Sequence, residues 1–271
     1  MNRFILPLVV MATLVSVDAY AEWVQGRGEW LFGPDTTENE ACEYAEQKAR
    51  KDAIRKVTGE HLSTEDMMVC SDRGDEASCK LNQMTWSTID GAILDIRSSN
   101  RQTVQALDGY NKCVITLEAD VGVAAGRPDP GFDMTVELNE RTFRSGEPLV
   151  ITIEPTRPMY ISVFQWLPYE EADHQVQRIF PNSFDRNSRF TKRGTIPTKG
   201  ENTGYDLKVT FPEANKVKGN LVDEYLMVVG TRKAFVFRET YTLEEFNARL
   251  LEIPRQDRRD VRRAYYVVRP K

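Results

Sequence analysis

Residues 37–59 read TENEACEYAEQKARKDAIRKVTG, and this stretch decides the fold of the first part of the chain. Ala41, Ala45, Ala49, Ala53 and Val57 recur every fourth residue, which places them on one stripe of a helix. Thr37 and Glu40 have capping-box spacing, and Gly59 supplies a C-terminal stop. The opposite face, Glu43, Gln47, Lys51 and Arg55, reads as solvated surface. A stripe of such small side chains lets the helix pack closely on a sheet. The run before it, WVQGRGEWLF at 23–32, is strand-like and is closed by Gly33-Pro34. Gly26-x-Gly28 within that run lacks the third glycine and the helix start of a dinucleotide site. It reads instead as a bulge or as a close contact with the alanine stripe.

Working outward, a short helix is expected at 82–89. Two β-rich stretches, 92–104 and 112–121, then flank Asp108-Gly109-Tyr110, a hairpin signal. Strand, helix and hairpin make a small α+β domain over 22–123. Two prolines and two glycines within 124–131 mark a linker. From 132 the pattern changes to short strands: 134–138 and 149–153 alternate, 160–166 is apolar on both faces, and 176–180, 207–211, 225–229 and 234–237 follow. About seven strands without an intervening helix predict an antiparallel β-sandwich over 132–271. A helix at 242–253 is expected from the Thr242/Glu245 capping box and Pro254. A second, charged helix at 256–264 and a last strand at 265–268 follow. The fold class is therefore α+β, a helix-on-sheet domain followed by a sandwich with a C-terminal helix.

Arg3, the apolar residues 4–15 and Ala19-Tyr20-Ala21 have the order of a secretory signal, with cleavage after Ala21 at residues 1–21. The apolar stretch is shorter than the ~20 residues that cross a bilayer, and no later run is long enough to do so. The expected location is the periplasm. Removing 1–21 takes away one Arg and one Asp, so the net charge stays at −5, which argues against a nucleic-acid partner. Four cysteines in an exported chain favour disulfides, for which three pairings exist. The short polar segment between Cys70 and Cys79 favours that pair and leaves Cys42 to join Cys113, helix to strand. Zinc is the weaker reading, since no C-x2-C pair occurs and His61 is the nearest imidazole. Neither a metal nor another cofactor is expected.

The residue types that carry chemistry are sparse. His61 and His174 sit in polar surroundings, and no G-x-S-x-G elbow accompanies them, so an enzyme is not expected. Arg73-Gly74-Asp75 reads as a polar turn, and Glu170-Glu171-Asp173 lacks the spacing of a calcium loop. Arg255, Arg258, Arg259, Arg262 and Arg263 alternate with Asp257 and Asp260 at helical pairing distances and read first as a salt-bridged helix. Arg258, Arg259 and Arg262 are nonetheless the residues that would meet an acidic partner or lipid headgroups. Trp166, Tyr169 and Phe180, at expected strand ends, are the candidates for stacking on a glycan or peptide.

Two resemblances emerge from these segments. Trp23, Gly26-Arg27-Gly28, the Ala41, Ala45, Arg50, Ala53-Ile54 helix and Val114-Ile115-Thr116-Leu117 resemble the N-terminal domain of the flagellar assembly protein T family. That resemblance implies a periplasmic protein that helps build a ring around the flagellar basal body. Five later blocks lie within 132–268. They are Arg144-Ser145-Gly146-Glu147-Pro148-Leu149, Met159-Tyr160-Ile161-Ser162-Val163-Phe164, Ile179-Phe180-Pro181-Asn182, Thr195-Ile196-Pro197 and Leu226-Met227-Val228-Val229-Gly230-Thr231. Together they are similar to an uncharacterised β-sandwich domain of bacterial envelope proteins. Neither resemblance implies catalytic residues. The expected role is a non-enzymatic periplasmic adaptor that binds envelope proteins of a larger assembly. The alternative is a module that recognises a glycan or peptide on the sandwich.

Overall fold

The computed structural model describes residues 22–58, 91–106, 109–198, 206–213 and 219–270. The expected signal at 1–21, His61, Cys70, Cys79, the Arg73-Gly74-Asp75 turn and the helix expected at 82–89 lie outside the described residues.

The N-terminal region is a helix on an antiparallel sheet. Strands β1 (Glu22–Phe32), β2 (Gly91–Gln105) and β3 (Asn111–Val123) are ordered β1-β3-β2, and helix α1 (Glu38–Thr58) covers one face. Ala41, Ala45, Ala49 and Ala53 are fully buried against the sheet. The backbone of α1 comes so close to β1 that a Cβ at Gly26 would lie 2.1 Å from the Ala49 carbonyl oxygen, and one at Gly28 2.0 Å from that of Ala45. The paired glycines are the seat of the alanine stripe, and no larger residue fits there. The capping box forms as its spacing predicts: the Glu40 N–H donates to Thr37 Oγ1 at 3.3 Å and the Thr37 N–H to Glu40 Oε2 at 2.9 Å. Cys42 on α1 is bonded to Cys113 on β3, with Cα atoms 5.2 Å apart. At the hairpin between β2 and β3, Gly109 has φ +80°, which suits glycine.

The C-terminal region is a sandwich with a helix on its outside. Strands β4 (Met134–Leu138), β6 (Ile151–Pro155) and β10 (Gly194–Ile196) form one sheet in the order β10-β6-β4. The facing sheet has the order β12-β8-β7-β11-β13-β5. Its strands are β5 (Thr142–Arg144), β7 (Met159–Trp166), β8 (Val176–Phe180), β11 (Leu221–Thr231), β12 (Thr240–Tyr241) and β13 (Arg258–Val268). Strand β9 (Arg189–Phe190) also pairs with β7. All pairings are antiparallel except β13 with β5. Between the sheets lie Val136, Ile151, Ile153, Ile161, Val163, Leu226 and Val228. On the other face of the large sheet, Phe164, Trp166, Tyr225, Met227 and Val229 pack against Phe246 and Leu250 of helix α2 (Leu243–Leu251). Both faces of β7 and β11 are therefore buried, which explains their unbroken apolar runs.

Three expectations are corrected here. Residues 258–264 are strand, not helix, and only a 3-10 turn at Arg255–Asp257 precedes them. Residues 234–237 form no strand but an irregular segment whose Phe237 packs on Phe164 and Phe246. Residues 207–211 contribute a single bridge, Pro148 to Lys208. The Thr242/Glu245 capping box of α2 forms as expected.

Candidate functional site

The aromatic residues expected to take a ligand are inside the molecule. Trp166 is 3% exposed and stacks on Tyr225 with ring centroids 4.9 Å apart, and Phe180 is fully buried against Phe190. Their strand-end positions correctly placed them in the sandwich. Register, however, turns Trp166 towards α2 and Phe180 towards the inter-sheet core. Tyr169 is half-buried and serves a carboxylate. Its hydroxyl donates to Glu224 Oε1, while Glu224 Oε2 accepts from Tyr265 at 2.5 Å and from Gln165 at 2.8 Å. The pairing of Glu224 with Tyr265 across β11 and β13 brings these groups together. Burial pushes the Glu224 carboxyl above its usual value, and the three donors only partly oppose this. Burial beside that carboxylate also raises the Tyr265 hydroxyl. Sequence reasoning missed Glu224, although one clue was present, the acidic pair Asp223-Glu224 interrupting the apolar run at 221–231.

The arginines of the expected helix alternate across β13 instead. Arg258, only 6% exposed, donates to the Leu250 carbonyl at the end of α2 and pairs with Asp260 at 3.3 Å. It caps a helix C-terminus, where a cation is favoured. Arg259 turns the other way, to Asp133 at 2.7 Å, and Arg263 donates to the Val136 carbonyl at 2.9 Å, tying β13 to the small sheet. Arg262 lies opposite Met227, on the face of the sheet that carries α2. These four do not share one face, so they do not form a single basic patch. His174 is exposed, 3.7 Å from Asp173. Among the described residues no three side chains are grouped to hold a metal, and no helix there is long and apolar enough to cross a membrane.

The more open surface is on the N-terminal sheet. The face of β1-β3-β2 away from α1 is covered at one end, where Leu251 of α2 comes up to Gly122 and Leu94, while β2 is exposed from Arg97 to Gln105. Among the described residues strand β2 pairs with β3 alone and its second edge carries no strand, and bulges fall at 93–95 and 96–98. Register sets three rows of side chains across the open face: Gln25, Glu118 and Ser98, then Arg27, Thr116 and Asn100, then Glu29, Val114 and Gln102. Most of them line a shallow depression of about 550 Å³.

Residues 142–218 match a family model described as Domain of unknown function (DUF4384). The match runs from β5 past β10, within the region whose five blocks resemble an envelope sandwich domain. Two of those blocks meet in space: buried Asp185, just after Ile179-Phe180-Pro181-Asn182, accepts from the Thr198 N–H at 2.8 Å and its hydroxyl at 2.7 Å, just after Thr195-Ile196-Pro197. No curated protein matches the chain.

Proposed function

We propose that the chain is an exported, non-enzymatic adaptor of the bacterial envelope that joins a larger assembly through its N-terminal sheet. The observation that carries this is the free edge of β2, long, exposed and unpaired among the described residues. Such an edge is a template for strand addition by another chain. The Cys42–Cys113 bond is in keeping with an oxidising compartment. The signal-like residues 1–21 and the resemblance of residues 22–123 to the flagellar assembly protein T N-terminal domain support the same address and a ring- or surface-assembly role. On this reading residues 22–123 and 132–271 are separate domains joined at 124–131, and the sandwich holds the first domain in place.

The test places a photocrosslinking amino acid at Gln105, on the exposed edge, and at the exposed Glu239 of the sandwich, as a control. Irradiation of cells is expected to join the Gln105 form to an envelope protein that also binds the purified chain. The recovered chain is expected to begin at Glu22. Crosslinks equal at both positions, or a chain retained in the cytoplasm with Met1 intact, would overturn the reading.

A further inference from the structure

The N-terminal sheet has two outer edges, and the fold treats them differently. On β1 the Arg27 N–H donates to Asp52 Oδ2 at 3.0 Å and the Gln25 carbonyl accepts from Lys56 at 2.6 Å, so both groups lie outside the ladder with β3 and are plugged from α1. Ladder bonds alternate along an antiparallel pair. The main-chain groups of Gly26 therefore meet those of Leu117, while those of Thr116 and Glu118 turn to Asn100 and Ser98. This leaves the N–H and C=O groups of Ser99, Arg101, Thr103 and Gln105 on the outer edge of β2, where no strand among the described residues takes them. The first part of that edge is protected. Its bulges fall there, and α2 packs against it, with Glu244 paired to Arg50 on the α1 side and Leu251 near Leu94 and Gly122 on the other face. Residues 98–105 carry no bulge, proline or lysine, the devices that keep an edge from pairing, and their one charged side chain, Arg101, is turned back onto Glu38 at 3.3 Å and Asn39 at 3.1 Å.

The open stretch is complementary to itself. An antiparallel copy centred on Gln102 sets Arg101 against Thr103 and Ser99 against Gln105 on both sides of the centre. Every outward-facing residue of the stretch is then used, in about eight main-chain hydrogen bonds. A centre at Asn100 would draw in Asp95 and Arg97 at the bulges, and a centre at Arg101 would oppose two guanidinium groups. In the Gln102 register charges are complementary instead. Arg101 comes beside Thr103 of the second copy, whose hydroxyl holds the Glu38 carboxylate at 2.7 Å. On the other face Asn100 meets Val104, and no like charges are opposed. We propose that the edge of β2 takes the same edge of a second copy, antiparallel and centred on Gln102, so that the chain pairs as a two-fold dimer. The axis is normal to the sheet, so two three-stranded sheets join into one of six strands with both α1 helices on the same side, and the pairing closes at two copies. The inference rests on the reading of this edge as the docking site and names the strand that it takes.

The test follows the purified chain by sedimentation equilibrium from micromolar to millimolar concentration, where a monomer–dimer equilibrium is expected. Asn100→Lys combined with Val104→Lys opposes lysines across the axis and should weaken the dimer by about tenfold relative to Asn100→Asp combined with Val104→Lys, which opposes Asp to Lys. Gln102→Cys, at the centre, should form an interchain disulfide on mild oxidation, whereas Asn100→Cys should give no more than the parent chain. A monomer at every concentration would overturn the inference. So would equal association of the two double variants, or equal crosslinking at Gln102 and Asn100. If the chain is monomeric yet still joins an envelope protein from Gln105, the adaptor reading stands and the second copy falls. If the dimer forms but no envelope protein is caught in cells, the dimer stands and the adaptor reading falls.

Discussion

The N-terminal sheet and the large sheet of the sandwich solve the same packing problem in opposite ways. The first is covered along its length on one face only, by a helix whose contact residues are alanines seated on two glycines, and α2 reaches just the Gly122 end of the other face. The second has both faces covered, by a sheet on one side and by α2 with Phe237 on the other, and its contacts are large aromatics and branched aliphatics. Close approach of backbones gives the first region shape but little buried apolar area, since each alanine buries only a methyl group. The disulfide between α1 and β3 offsets that deficit. The sandwich has no crosslink among the described residues, and the two buried carboxylates it tolerates, Glu224 and Asp185, are each held by donors. Packing that is thin but stapled leaves a face and an edge open, whereas packing that is deep on both sides leaves no surface on the sheet itself.

The largest effect is expected in the sandwich. Phe164 touches Phe237 and Phe246 with ring centroids 5.0 and 4.6 Å apart, and Phe164→Ala should cost about 3 to 5 kcal/mol. Denaturant unfolding followed by tryptophan fluorescence checks this, and a cost below about 1 kcal/mol, the level of a surface change, would mean that α2 is not part of the core. The next effect belongs to the N-terminal region. Replacing both Cys42 and Cys113 by alanine should cost about 2 to 4 kcal/mol, because the bond closes a loop spanning 71 positions. Hydrogen exchange should then speed up in α1 and β3 while β7 and β11 keep their protection. Equal acceleration in both would show that the two regions share one stability.

The smallest effect sharpens the role of Glu224. Its carboxyl is raised in the folded state, so the folded protein holds this proton more tightly than the unfolded chain does. The contribution to stability is then full below the unfolded value near 4.5 and is lost as pH rises through the folded value. Glu224→Gln removes that dependence. The stability of the parent minus that of the variant should fall from acid to neutral pH in a series of denaturant melts. A difference that grows with pH would mean that the donors, not burial, govern the carboxylate.

Local signals were legible where local contacts decide. The period of four in Ala41–Ala53, the two capping boxes, the Asp-Gly hairpin and the two glycines of β1 each report an interaction within or next to their own element. The errors fall where a distant strand decides. Arg258–Arg263 with Asp257 and Asp260 satisfies helical pairing, yet eleven residue pairs with β11, from Leu221 with Val268 to Thr231 with Arg258, hold it extended. Once extended, the same arginines alternate, which is why they serve two different layers. Trp166 and Phe180 do close strands β7 and β8 as their sequence context predicts, but the sequence carries no mark of which layer covers each face. Glu224 gives no sign of its role for the same reason, because its partners come from β7 and the loop after it and from β13, all far from it in the chain.

The parallel pairing of β5 with β13 bears on the order of assembly. Among the described residues Thr142 finds its strand neighbour in Tyr266, and β11 finds one of its two in the same strand. During synthesis, then, both strands wait with unsatisfied edges until residues 258–268 have left the ribosome, and nearly the whole sandwich sequence is translated before its larger sheet can close. Contacts this remote fold slowly. The chain therefore spends an interval long compared with helix formation in a loose, threadable state.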